Sequence, residues 1–170
     1  MQTPLTNKFP EQTFSMFGVF AQFLISPNEG NKQTSVTRGF LPAGMIVPLH
    51  SHVEPEMFYV TEGSFEIYRE GDGWTKLQAD DVFTVPMNIK HALRNTSELP
   101  CTVLLIASGA ELNQFFRAVA QPIERDWTPA PPTPAQMEQL CAAAAKYNYW
   151  MASPEENAAI GLDLPSPVAA

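Results

Sequence analysis

The sequence predicts an all-β protein, an antiparallel β sandwich or small barrel followed by two C-terminal helices. Three observations predict it. Short segments rich in Val, Phe, Ile, Thr and Tyr follow one another from Gly18 to about Gly109. Turn clusters punctuate them: PNEGN at 27–31, GDG at 71–73 and NTSELP at 95–100. After Ser108 the apolar period changes to helical spacing.

The strands are read in order as Val19–Ile25, Ser35–Leu41, Met45–His52, Glu56–Arg69 broken at Gly63, Trp74–Gln78, Val82–Val85, His91–Asn95 and Thr102–Ala107. Leu112, Phe115, Phe116 and Val119 then recur at helical spacing behind a capping box of Ser108 and Glu111. The proline-rich linker TPAPPTP leads to a second helix, with Thr133 as N-cap, Pro134 at the first helical position and Gln136 closing the box. Its apolar stripe is Met137, Leu140, Cys141, Ala144 and Tyr147, expected to pack against the barrel or a partner subunit. The chain divides on this reading into a lead segment 1–17, a barrel 18–109, a helical extension 110–150 and an irregular tail 151–170.

Composition excludes several classes of function. With 170 residues, 45% of them hydrophobic and 16% charged, the chain can build one core, and no apolar run approaches the roughly 20 residues of a membrane-spanning helix. The net charge is −8 and the basic residues are scattered singly, so neither nucleic acid nor a membrane is an expected partner. The N-terminal MQTPLTNKFPEQ lacks the basic start and apolar stretch of a secretory signal, so a cytoplasmic location is expected. Cys101 and Cys141 have no CxxC spacing and read as buried thiols.

The chemistry concentrates in the three histidines, His50, His52 and His91. Residues two apart in a strand share a face, so His50 and His52 project together, and Glu54 and Glu56 continue the same parity. Neutral imidazoles with a carboxylate suit a divalent first-row metal. Pro55 interrupts the alternation, so strand parity alone does not choose between Glu54 and Glu56.

The spacing around these residues is Gly44, five residues, His50, one, His52, three, Glu56, six, Gly63; downstream stand Pro86, His91 after four residues and Asn95 after three more. This pattern resembles the two motifs of the cupin family, G-x5-H-x-H-x3-E-x6-G and G-x5-P-x-G-x2-H-x3-N. The first is matched throughout; the second departs at both glycines, where Asp80 and Asn88 stand. Asn tolerates a left-handed turn better than other side chains after Gly, so Asn88 is expected to keep the geometry, while Asp80 leaves the first turn open. The resemblance covers about residues 35–107. It implies a small jelly-roll-like antiparallel β-barrel holding one divalent transition-metal ion (iron, manganese, nickel, cobalt, copper or zinc) on His50, His52, Glu56 and His91, and it is this spacing that selects Glu56 over Glu54. An octahedral ion on these four donors keeps two open positions.

Alternation from Glu56 puts Phe58 and Val60 on the inner face, and alternation from His91 does the same for Leu93 and Asn95. Phe58 and Leu93 are accordingly candidates for the substrate pocket as well as for ordinary core. A single barrel followed by a helix containing Phe115, Phe116 and Arg117 and a proline-rich linker is also similar to bacterial quercetin dioxygenase-like proteins. That likeness implies an oxidoreductase that brings dioxygen to a small organic substrate, with Glu56 doubling as proton acceptor. Two other functions are compatible with the residues: an oxygen-independent lyase or isomerase using the ion as Lewis acid, and a ligand-binding module without catalysis. The apolar stretch FGVFAQFLI at 17–25 is expected to pair with a second copy in a homodimer.

Overall fold

In a computed structural model, residues 12–27, 34–123 and 133–164 are described. Two antiparallel sheets face one another. The larger has seven strands in the order β11-β1-β2-β3-β10-β5-β8, built from β1 (Phe14–Met16), β2 (Val19–Ile25), β3 (Thr34–Leu41), β5 (Glu56–Glu62), β8 (Val82–Val85), β10 (Cys101–Ser108) and β11 (Gln121–Pro122). The smaller has the order β12-β4-β9-β6-β7, from β4 (Ile46–Ser51), β6 (Ser64–Arg69), β7 (Gly73–Gln78), β9 (His91–Arg94) and β12 (Trp150–Met151). Three helices complete the chain: α1 (Glu111–Val119), α2 (Pro134–Lys146) and α3 (Pro154–Ala159).

The strands form because their side chains alternate between core and surface, most regularly in β3 and β10, which pair over their full lengths. Leu41, Phe58, Val60, Phe65, Ile67, Leu93, Val103 and Leu105 fill the space between the sheets. The two glycines the pattern singled out both sit at positive φ, Gly44 at 74° and Gly63 at 79°. At Gly63 the reason is also steric, because a Cβ there would lie 2.6 Å from the Pro100 carbonyl oxygen. Asp80 and Asn88, standing in place of the two motif glycines, adopt φ of 73° and 60°, so both turns keep their left-handed residue. The Asp80 turn is held by its own N–H donating to Val60 O and by the Tyr59 hydroxyl donating to its carboxylate.

Several expectations are corrected. The N-cap of α1 is Ala110, with no side-chain cap, so Ser108 and Glu111 form no capping box; β10 runs on through Ser108 and keeps that residue in the ladder. The box at α2 forms as read, Thr133 accepting from Gln136 N and Gln136 accepting from Thr133 N, but the stripe of α2 is narrower than its spacing suggests. Ala143 and Ala144 are buried, Leu140 and Tyr147 pack against the core, and Met137 and Cys141 are exposed. The 17–25 stretch is no free edge, since β2 lies between β1 and β3 of its own sheet.

The described part of the tail, to residue 164, is ordered. Ser153 and Glu156 cap α3 reciprocally, and buried Asn157 accepts from Leu49 N at 2.8 Å and donates to Ser153 O at 2.9 Å. The PNEGN turn beyond Pro27, the lead segment before Gln12 and most of the proline-rich linker lie outside the described residues. No helix is long and apolar enough to cross a membrane among the described residues.

Candidate metal centre

The three histidines reach one point from two adjacent strands and the loop after them. His50 on β4 and His91 on β9 are cross-strand partners, and their ring centroids stand 4.2 Å apart. His52 lies just past the end of β4, where its carbonyl accepts from Asn88 N at 2.8 Å. The second motif's turn thereby fixes the loop that carries the second histidine. The His52 ring is 5.7 Å from His50 and 5.1 Å from His91, and one ligand atom from each of the three lies within 4.8 Å of the others.

Glu56 arrives from the opposite sheet, at the start of β5, where it pairs with Val85 and Ala107. Its carboxylate spans two of the rings, Oε1 at 3.3 Å from His52 Nε2 and Oε2 at 3.2 Å from His91 Nε2. Glu54 lies on the other side of His52, Oε2 at 3.5 Å from Nδ1. Exposures of 2% for His52, 1% for His91, 4% for Glu54 and 5% for Glu56 put this polar set well inside the protein.

The tautomers follow from the outer contacts. His50 Nδ1 donates to Pro48 O at 2.7 Å and His91 Nδ1 to Ile89 O at 2.9 Å, while His52 Nδ1 faces Glu54. Each ring is left with Nε2 for the common centre. The Nε2 atoms of His52 and His91, and Nδ1 of His52 beside Glu54, are buried without a well-formed hydrogen bond among the described residues. Buried ring nitrogens left so are costly unless they ligate, which is how this donor set fits a divalent cation.

Electrostatics agree. Burial, then His91 and His52, pull His50 down to about 3, so its ring is neutral. At His52 burial works in the same direction, but Glu54 and Glu56 outweigh it and push the ring up to about 9. Burial would raise the Glu56 carboxyl, yet contacts with His52 and His91 hold it below the usual carboxylate range. As bare side chains the site therefore keeps a proton on His52 to balance its carboxylates. A cation would replace that proton.

Phe58 and Leu93 both sit in the barrel core. Phe58 packs on Phe65 at 6.1 Å, and Leu93 pairs with Val47 and Ile67. Asn95 is a structural latch, its amide donating to Leu41 O and Leu99 O while its backbone bonds Gly44 and Met45.

The aromatic wall of the cluster comes from residues the motifs do not contain. Tyr149 lies 4.7 Å from the His52 ring and parallel to His50 at 6.5 Å, and Phe115 of α1 stacks on its far face at 4.0 Å and 12°. Pairing of β12 with β4, Met151 opposite His50 and Trp150 opposite Ser51, puts it there. The helical spacing of Phe115 was visible in the sequence; nothing local marked Tyr149.

Residues 38–107 match the profile described as Cupin domain. No curated protein matches this chain in sequence. Among solved structures, a protein described as a predicted oxalate decarboxylase from Thermotoga maritima is 24% identical with a TM-score of 0.52, over 64% of this chain and 99% of that one. KdgF from Halomonas sp. is 19% identical with a TM-score of 0.53, over 61% of this chain and 94% of its own. A chain from a study of DMSP lyases, 22% identical with a TM-score of 0.49, is matched over 56% of this chain and 49% of that one, so this protein spans about half its length. At these identities the likeness concerns the fold. This is a cupin-fold protein, with a cupin domain at residues 38–107 and a histidine cluster between its sheets that could hold a metal ion.

Proposed function

We propose that this protein is a metal-dependent oxidoreductase, a dioxygenase acting on a small organic substrate of enol or flavonoid-like character, with one divalent transition-metal ion held by His50, His52, Glu56 and His91. The observation that supports it best is the convergence of three imidazoles, those of His50 and His91 held at Nδ1 by backbone carbonyls and that of His52 with Nδ1 facing Glu54, so that the Nε2 atoms and Glu56 face one another in a buried space. A bound ion would supply Lewis acidity and, if redox-active, an electron path between substrate and dioxygen.

The protein's own groups do the rest. The neutral imidazoles contribute no charge and Glu56 contributes one negative charge, so the set leaves a divalent ion electrophilic. Tyr149 beside His52, with Phe115 stacked on it, gives the cluster an aromatic wall that would keep water from a bound substrate. Glu56 can accept the substrate's hydroxyl proton at a carboxylate oxygen. The buried Glu54 supports a second reading, a lyase or isomerase, because it offers another carboxylate to carry a proton while Glu56 stays with the histidines.

Oxygen uptake by metal-loaded protein with flavonols and simple enols separates the two. Turnover that stops under argon supports the dioxygenase; turnover that continues supports the lyase; metal retention without turnover supports a binding module. A cytoplasmic homodimer belongs to the same proposal, with the exposed Leu24 and Ile25 of β2 as its apolar contact. Light scattering that shows only monomer would contradict the dimer.

A further inference from the structure

The hydroxyl of Tyr149 is a feature of the site that the metal reading does not use. The residue is 8% exposed, its ring is clamped between His52 and Phe115, and its hydroxyl is buried with no hydrogen-bond partner among the described residues. Its backbone is fixed as well, Tyr149 N donating to Ala144 O at 2.8 Å and the neighbouring Trp150 pairing with β4. A buried hydroxyl without a partner costs stability, so a chain that keeps one beside a reactive centre holds it for something absent from the side-chain set.

The surroundings define what that is. A phenol keeps its proton at neutral pH, so the hydroxyl is a hydrogen-bond donor, and the charged groups that act on it are the carboxylates Glu56, Glu54 and Glu111. Among the described residues, basic side chains find partners elsewhere: Arg94 with Glu66 and the Trp74 ring, Arg117 with Asn113 and Ser26, Arg69 with Asp72, Arg38 with Gln22, Lys90 over the Trp150 ring and Lys146 over the Tyr147 ring. With a divalent ion in place, Glu54 and Glu56 already balance its two charges, so a phosphate or dicarboxylate entering here would bring an uncompensated double negative charge, with no cationic side chain from these residues to offset it.

We propose that Tyr149 is a ligand-recognising residue whose hydroxyl donates a hydrogen bond to a substrate oxygen, and that the substrate is a hydroxylated organic molecule carrying at most one negative charge. This rests on the metal-site reading and adds to it a residue supplied from outside the cupin domain and a limit on substrate charge.

The test uses full-length protein loaded with cobalt(II) under argon, its visible spectrum titrated with catechol and, separately, with oxalate, in wild type and Tyr149→Phe. The expected result is equal cobalt content in the two proteins, catechol bound roughly tenfold more weakly by Tyr149→Phe, and oxalate bound at least tenfold more weakly than catechol by wild type. Because the hydroxyl has no partner among the described residues, ligand-free Tyr149→Phe should melt no lower than wild type. Equal catechol affinity in the two proteins, no catechol binding, oxalate binding as tightly as catechol, or a lower melting temperature for the variant would each overturn the proposal while leaving the metal reading standing. Failure of wild type to take up cobalt would overturn both.

Discussion

Replacing His91 with Ala removes one imidazole from the cluster, and with it the bond to Ile89 O, but leaves its partner His50, the Ile89 N to Pro86 O turn bond and the β4–β9 pairing in place. The loss should therefore fall on metal binding more than on the fold. If free metal stands at a hundredfold excess over its dissociation constant, binding stabilises wild type by about 2.7 kcal/mol. For a chain of this length each kcal/mol shifts the melting temperature by about 2–4 °C, so the metal should raise it by about 5–11 °C. Removing an outer-sphere partner of a ligand already weakens a site by about 10–100-fold. A ligand lost outright should then cost at least about a hundredfold, which cuts the stabilisation at the same metal concentration to about 0.4 kcal/mol and the shift to roughly 1 °C. The assay is a calorimetric melt of His91→Ala and wild type, each with and without metal. Comparing each protein with its own metal-free form cancels whatever the substitution costs the fold. A shift in His91→Ala as large as that in wild type would refute the placing of His91 among the ligands.

Three further outcomes are expected. Metal uptake should release about one proton at neutral pH, because the His52 ring, pushed up to about 9, is protonated before binding whereas His50, pulled down to about 3, is not; affinity should rise about tenfold per pH unit up to about pH 9 and then level off. Calorimetry in buffers of different ionisation enthalpy reads this, and a release near zero at pH 7 would contradict the charge balance. Gly63→Ala should lose about 2 kcal/mol or more in urea melts, since its Cβ would stand 2.6 Å from Pro100 O at a φ of 79°; unchanged stability would mean that the β5–β6 turn can relax freely. Asn157→Ala should cost about 2–3 kcal/mol by orphaning the Leu49 N–H, and amide exchange at Leu49 should quicken; a loss confined to the last helix would show that this residue does not brace β4.

The barrel was legible because its signals are local. Alternation marked β3 and β10, and glycine spacing marked the turns at Gly44 and Gly63. The ligand candidates were legible for a different reason: two of them share one strand end, and a fixed interval carries the chain to His91, which the β4–β9 register sets opposite His50. Asp80 shows how far a motif can drift, because an aspartate at φ 73° performs the glycine's turn while its side chain accepts from Tyr59. Tyr149 was not legible, because it reaches His52 only through the pairing of a two-residue strand with β4, and neither periodicity nor spacing encodes that contact. The ordered tail was missed similarly: Ser153 and Glu156 form a readable capping box, but Asn157 is held by Leu49, 108 residues away in the chain. At α1 a plausible box at Ser108 gave way to the longer run of β10, a tertiary pairing that outweighs a local cap.

The most direct measurement is anomalous diffraction from crystals of protein purified without a polyhistidine tag or added metal, collected on both sides of the absorption edges of the first-row metals. The account predicts a single peak per chain within coordination distance, about 2.0–2.2 Å, of the Nε2 atoms of His50, His52 and His91 and of a Glu56 oxygen. A map with no peak among them, or with Glu56 or His91 turned toward solvent, would contradict it.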